Sequence, residues 1–190
     1  MPRARGEARG EGERAVKQLD RFIARYSPDV ARLARQVLAA MRRRLPGATE
    51  LVYDNYNALA IGFGPGERSS DAAFSIAVYP RWVSLFFLKG ARLRDPAKLL
   101  KGSGAQVRHI VIDKAAMLND PAVSALMVQA LAGIEPSMLQ GRPRTIIKSI
   151  SAKQRPRRPP AGLVTAPARA GGNRPPARTD RSRTRRPRTA

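Results

Sequence analysis

Residues 82–88, Trp-Val-Ser-Leu-Phe-Phe-Leu, carry large apolar side chains at six of seven positions. Read with a period of two, Val83, Leu85 and Phe87 fall on one side of an extended chain and Phe86 and Leu88 on the other. A strand apolar on both sides needs neighbours along both edges and cover on its faces, so this segment predicts a sheet with residues 82–88 at its centre. The same period runs through the surrounding sequence. Residues 51–53 and 59–63 read as two strands around a turn at 54–57, where Asp54 suits an Asx-type bend. Phe74, Ile76 and Val78 alternate in a third strand, and residues 106–112 form a fifth.

Ahead of the strands the period is helical. Val16, Leu19, Ile23 and Tyr26 mark one helix, and Ser27-Pro28 supplies an N-cap and a first-position proline for the next. There Val30, Leu33, Val37, Leu38, Met41 and Leu45 form an apolar stripe that Pro46-Gly47 ends, while Arg32, Arg35, Arg42, Arg43 and Arg44 read as a solvated face. Asp95-Pro96 predicts a short capped helix, and Asp120-Pro121 a longer one with Val123, Leu126, Met127, Ala130, Leu131 and Ile134 on a wide apolar arc. The expected class is α+β: two layers, an antiparallel sheet of about five strands packed by two N-terminal helices and one C-terminal helix. Residues 145–150 read either as an edge strand or as a linker.

Charge divides the chain. Of its net +22, residues 151–190 contribute +11 from twelve Lys/Arg and one Asp, and residues 1–150 the other +11 from twenty-four Lys/Arg and thirteen Asp/Glu. The last forty residues have only Leu163 and Val164 as sizeable apolar groups, too little to offset the entropy of ordering them. The expected organisation is therefore a hydrophilic, frayed leader over 1–13, one domain over 14–135, an edge segment or linker over 136–150, and a disordered Arg/Pro-rich tail over 151–190. Arg155, Arg157, Arg158, Arg181, Arg183, Arg185, Arg186 and Arg188 of that tail are candidates for nonspecific, salt-sensitive contact with nucleic-acid phosphates. No aromatic is interleaved with them to stack on bases. Twenty-nine Arg against seven Lys, with abundant Ala, Gly and Pro, is also the residue usage that GC-rich codons produce.

Catalytic and metal chemistry find few candidates. The chain has no cysteine and one histidine, which leaves no thiolate site, no redox pair, and His109 as the sole imidazole for a triad; its place between Val107 and Val111 suits a structural role on a strand. Gly102-Ser103-Gly104 lacks the spacing of a phosphate-binding P-loop. The chain is read as a non-enzyme with no cofactor and no metal site, without an apolar run of the eighteen or more residues that cross a bilayer, and cytoplasmic by default. Two glycine loops rich in cations remain. Lys89, Gly90 and Arg92 precede the Asp95 segment, and Lys101, Gly102, Gly104 and Arg108 follow it. If the loops converge, these side chains and the glycine N–H groups suit a small phosphate or carboxylate.

Leu19-Asp20 with Phe22-Ile23, Ser27-Pro28, and the run from Leu85 through Lys89-Gly90, Leu93, Asp95-Pro96, Leu100, Gly102-Ser103-Gly104 and Arg108 together resemble the YdhG-like domain, domain-of-unknown-function family 1801, over roughly residues 15–135. The resemblance implies an α+β domain comparable to frataxin, and in one bacterial branch an intracellular iron chaperone. Frataxin-style iron binding needs clustered carboxylates, whereas Asp20 and Asp29 lie among Arg21, Arg25, Arg32 and Arg35.

Overall fold

The computed structural model describes residues 3–132, 140 and 142–159. Helices α1 (Arg3–Ala24) and α2 (Pro28–Arg44) lead into β1 (Thr49–Asp54), β2 (Leu59–Gly64), β3 (Phe74–Val78), β4 (Val83–Phe87) and β5 (Arg108–Ile112), followed by α3 (Pro121–Leu131) and β6 (Arg144–Ile150). The sheet has six strands in the order β5-β4-β3-β2-β1-β6. The first five pair antiparallel as a meander. The sixth lies parallel to β1, with a bulge beside Val52 and Tyr53. The α+β layering matches the expectation. The strand count and the purely antiparallel pairing do not, because residues 145–150 join the sheet.

Two-residue alternation sorts the sheet into faces. On one, Val52, Ile61, Ile76, Leu85 and Ile110 align across five strands. They pack against Val37, Leu38 and Met41 of α2, Leu19 and Ile23 of α1, and Val123, Leu126 and Met127 of α3 in one core cluster. Each such side chain, withdrawn from water, stabilises the fold by about 1.5–3 kcal/mol. Phe74 and Phe87 meet edge to face at 5.5 Å within this layer. The opposite face is thinner. It holds Tyr53, Ala60, Ser75, Phe86, His109 and Val111, half-buried, beside the buried Leu51, Ala77 and Ser84, so β4 is interior by its pairing and, within the strand, is partly exposed on this side at Phe86.

Two of the three helix starts read from proline, at Pro28 and Pro121, are present. Asp120 Oδ1 accepts the N–H of Ala122 at 2.8 Å and of Val123 at 3.3 Å, which caps α3. Other local expectations give way. The Asp95-Pro96 segment forms no helix: Asp95 Oδ2 accepts the N–H of Leu100 at 2.7 Å, and Lys98 takes a left-handed φ of 53°. A one-turn helix gains too few backbone bonds to nucleate alone, and this turn satisfies the same carboxylate. At the N-terminus α1 is already helical from Arg3, where a frayed leader was expected.

The largest departure concerns residues 151–159. Residues 151–159, expected to belong to the tail, are instead part of the compact unit Met1–Pro159. The N–H of Ser151 reaches Asp54 O at 2.9 Å and that of Arg155 reaches Tyr56 O at 3.0 Å, so the chain leaving β6 follows β1 and the turn after it. Asp54 is fully buried and forms no Asx bend. Its carboxylate accepts from Arg25, from Gln154 Nε2 at 2.7 Å and from Arg157 at 2.8 Å. Arg157 is only 6 % exposed and lies 5.6 Å from the Tyr26 ring. Arg158 Nε donates to the carbonyls of Arg25 and Tyr26 at 3.2 and 3.1 Å, satisfying acceptors at the end of α1.

Removing one partner of a buried ion pair leaves the other charge uncompensated, at about 3–5 kcal/mol. Arg157→Ala is expected to lower the unfolding free energy by that order in urea titration. Arg155→Ala, at an exposed position, is expected to change it by less than about 0.5 kcal/mol.

Candidate functional site

The two glycine loops meet at one end of the sheet. After β4, residues Gly90–Arg92 make a single 3-10 turn, and the N–H of Ala91 donates to Gln106 O at 2.8 Å, tying the first loop to the second. Gly90 is required there. A Cβ at that position would lie 2.6 Å from Arg108 Cβ and 2.9 Å from Arg108 N. Further along, Arg94 N donates to Gln129 Oε1 at 2.9 Å and Gln129 Nε2 donates to Arg94 O at 3.1 Å, which pins the loop to α3.

The second loop closes on the free edge of β5. Lys101 and His109 exchange backbone hydrogen bonds of 2.8 and 3.0 Å, and Gly102 turns the chain with a φ of 109°, a conformation that favours glycine. Gly104 has open space where a side chain would be.

These bonds divide the expected anion ligands. Lys89 and Arg92 line a shallow depression of about 510 Å³ together with Ala105 and Gln106. Both are exposed, and neither is paired with a carboxylate among the described residues. Arg108 is elsewhere. Its guanidinium turns back onto the carbonyls of Gly104 and of Val107, the latter at 2.8 Å, and so holds the second loop in shape. Lys101 serves the strand edge with its backbone and leaves its side chain exposed; Gly102 and Gly104 shape the loop without lining the depression. The site contracts to Lys89, Arg92, the Gly90 turn and Gln106. Gln106 carried no functional signal in the sequence, because its role comes from the carbonyl that any residue could offer.

His109 stacks on Phe86 with ring centroids 5.0 Å apart. Burial first, and the neighbouring Lys101 charge second, hold its imidazole below the ordinary value of 6.5.

The expected tail residues separate as well. Arg157 is buried on Asp54, Arg158 caps α1, and Arg155 is exposed beside Asn57. The first two are parts of the fold, a correction to their expected place in a phosphate-binding tail. Arg181, Arg183, Arg185, Arg186 and Arg188 lie outside the described residues. The α2 arginines are not simply solvated: Arg42 grips the buried Glu50 carboxylate with two bonds of 2.6 and 2.8 Å, and Arg44 donates to Leu118 O and Asn119. Among the described residues no three or more His, Asp or Glu side chains gather where they could hold a metal ion, and no helix is long and apolar enough to cross a membrane.

Compared with protein-family models, with curated proteins and with solved structures, the chain matches none of them.

Gly90→Ala is expected to cost about 1–3 kcal/mol by overpacking and to lower the melting temperature, whereas Gly104→Ala is expected to leave it nearly unchanged. For His109 the sign follows from its depressed value. On acidification the unfolded chain takes up the proton first, so stability should fall as the pH drops below about 6.5 until the folded imidazole also titrates. As the chain's single histidine, its ring resonances should give a midpoint below 6.5 by NMR, and His109→Gln should flatten the decline in urea midpoint between pH 7.5 and 5.5.

Proposed function

We propose that this protein is a non-enzymatic binding module of the YdhG-like kind, acting in the cytoplasm, which takes a small phosphate- or carboxylate-bearing ligand between Lys89 and Arg92. The observation that carries this reading is the 2.8 Å bond from Ala91 N to Gln106 O, because it joins the two basic loops into one concave surface lined by two cations and no carboxylate. Charge-assisted hydrogen bonds contribute about 1.5–3 kcal/mol each. Two of them correspond to a Kd between roughly 10⁻² and 10⁻⁴ M, and exposure of the cations makes the affinity salt-dependent.

The alternatives draw less from the structure. A nucleic-acid role for the basic tail loses Arg157 and Arg158 to the fold. Frataxin-like iron handling needs free carboxylates, and the two buried ones, Asp54 and Glu50, are each held by arginine.

Titration calorimetry with inorganic phosphate and with citrate in low salt checks the proposal. Saturable binding is expected for at least one of them, weakened about tenfold or more in the Lys89→Ala, Arg92→Ala double variant and by added salt. Absence of heat with both anions, or an affinity unchanged in the double variant, overturns it.

A further inference from the structure

The sheet face turned away from the helices has a composition unlike the rest of the surface. Across it, Leu51, Gly62, Ser75, Phe86 and His109 are mutually paired positions in one row, and Tyr53, Ala60, Ala77, Ser84 and Val111 in the next. Leu51 is buried and Ala72 lies against Gly62 at the β1–β2 side, so the accessible part of the face lies over β3, β4 and β5, where aromatics stand beside the small, shielded Ala77 and Ser84. Phe86 and His109 are stacked and half-buried at the β4–β5 side. Tyr79 and Trp82 are stacked at 4.9 Å where β3 turns into β4, with Trp82 44 % exposed. Trp82 and Phe86 sit four residues apart on one chain, roughly 13 Å, so the two aromatic pairs mark the ends of a short track.

The charge around this track is mainly positive. Arg81 is exposed at the tip of the β3–β4 turn, Lys101 is exposed beside His109 on the free edge of β5, and Lys148 is exposed in the bulge of β6 at the opposite edge. Two nearby acids are Asp113, exposed just past β5, and Glu67, which is paired with Arg144 at 3.0 Å. Half-exposed aromatic platforms over a floor of small side chains, bordered by unpaired cations, are what extended single strands of nucleic acid require. Bases stack on the rings and phosphates lie along the cations. A duplex hides its base faces, and a small anion makes no use of the rings.

We propose that this open face binds single-stranded nucleic acid, with bases stacked on the Phe86/His109 and Tyr79/Trp82 pairs and phosphates held by Arg81 and Lys101. The site is distinct from the Lys89 depression, and it supplies an aromatic component that residues 160–190 lack in sequence.

Trp82 is the chain's single tryptophan, so its fluorescence reports on this face alone. The full-length protein, titrated with a twelve-nucleotide oligothymidylate in about 0.2 M salt, should show saturable quenching of Trp82, and a twelve-base-pair duplex should not. Phe86→Ala should weaken the single-strand affinity about tenfold, within the range of losing one stacked base, with its circular dichroism unchanged. If that variant unfolds, the half-exposed His109→Ala serves in its place and should weaken binding similarly. The Lys89→Ala, Arg92→Ala double variant should bind the oligonucleotide normally, which separates this proposal from the small-anion reading. Binding without quenching, equal quenching by the duplex, or undiminished affinity in a folded Phe86→Ala or His109→Ala protein would each overturn it.

Discussion

The ion pairs of β1 determine how the helical layer sits on the sheet. Glu50 and Asp54 lie four residues apart on the helix-facing side of this strand, 3 % and 0 % exposed, with the apolar Val52 between them. A carboxylate withdrawn from water to this degree is tolerated only where hydrogen-bonded cations meet it. Those cations come from other elements: Arg42 of α2 for Glu50, and Arg25, just past α1, together with Arg157 for Asp54. Apolar packing alone would tolerate a shift of helix against strand by small rearrangements. Two fork-like contacts at opposite ends of one strand do not, since either shift would strand a buried charge. Thr145 of β6 adds a 2.8 Å hydroxyl bond to Glu50, so the parallel sixth strand is registered by the same carboxylate.

Tyr26 extends this arrangement to the middle of the sheet. Its hydroxyl donates to Val78 O at 2.8 Å and accepts from Leu59 N at 3.0 Å, joining the end of α1 to β2 and β3. Burial raises its phenol above the ordinary value, with the Arg157 charge opposing that rise. Asp54, Arg25, Arg157 and Tyr26 thus form one polar cluster enclosed by apolar side chains. Such a cluster is stable when every member is satisfied and costly when one is missing. Arg157 Nε, buried without a partner among the described residues, is the one incomplete point.

How much of this was legible in the sequence depends on the range of the interaction. The alternation of Phe74, Ile76 and Val78, the two-sided apolar run at 83–87 and the Asp120-Pro121 cap are local patterns, and each became the element expected of it. The convergence of the glycine loops was readable because only eighteen residues separate Lys89 from Arg108, with a strand at either end. The pairing of Thr49 with Arg144 was not, because the partner lies half the chain away and its strand has weak alternation. Arg157 was the hardest to recognise. In sequence it is one arginine among many in a proline-rich run, and nothing local distinguishes it from Arg155; what singles it out is a buried carboxylate more than a hundred residues earlier. Asp54 was misread for the same reason, since an aspartate before Asn55 carries a strong local turn signal that the tertiary ion pair overrides.

This division of labour has a consequence for function. Arginines 25, 42, 157 and 158 hold the fold together and so are withdrawn from binding, while Arg108 is held by the carbonyls of its own loop. A high count of cations therefore overstates how many can meet a ligand. Among the described residues, exposed cations without a carboxylate partner include Lys89 and Arg92 in the depression and Arg81 and Lys101 along the open sheet face, besides Arg14, Lys17 and Arg142 in the groove beside α1 and β6. The first two groups differ in what accompanies the charge. In the depression the cations are accompanied by Ala105 and Gln106 and by no ring, which suits a compact anion. The sheet face offers rings, which suit a flat one. Net charge draws either kind of ligand toward the protein; the side chains beside each remaining cation decide which of them stays.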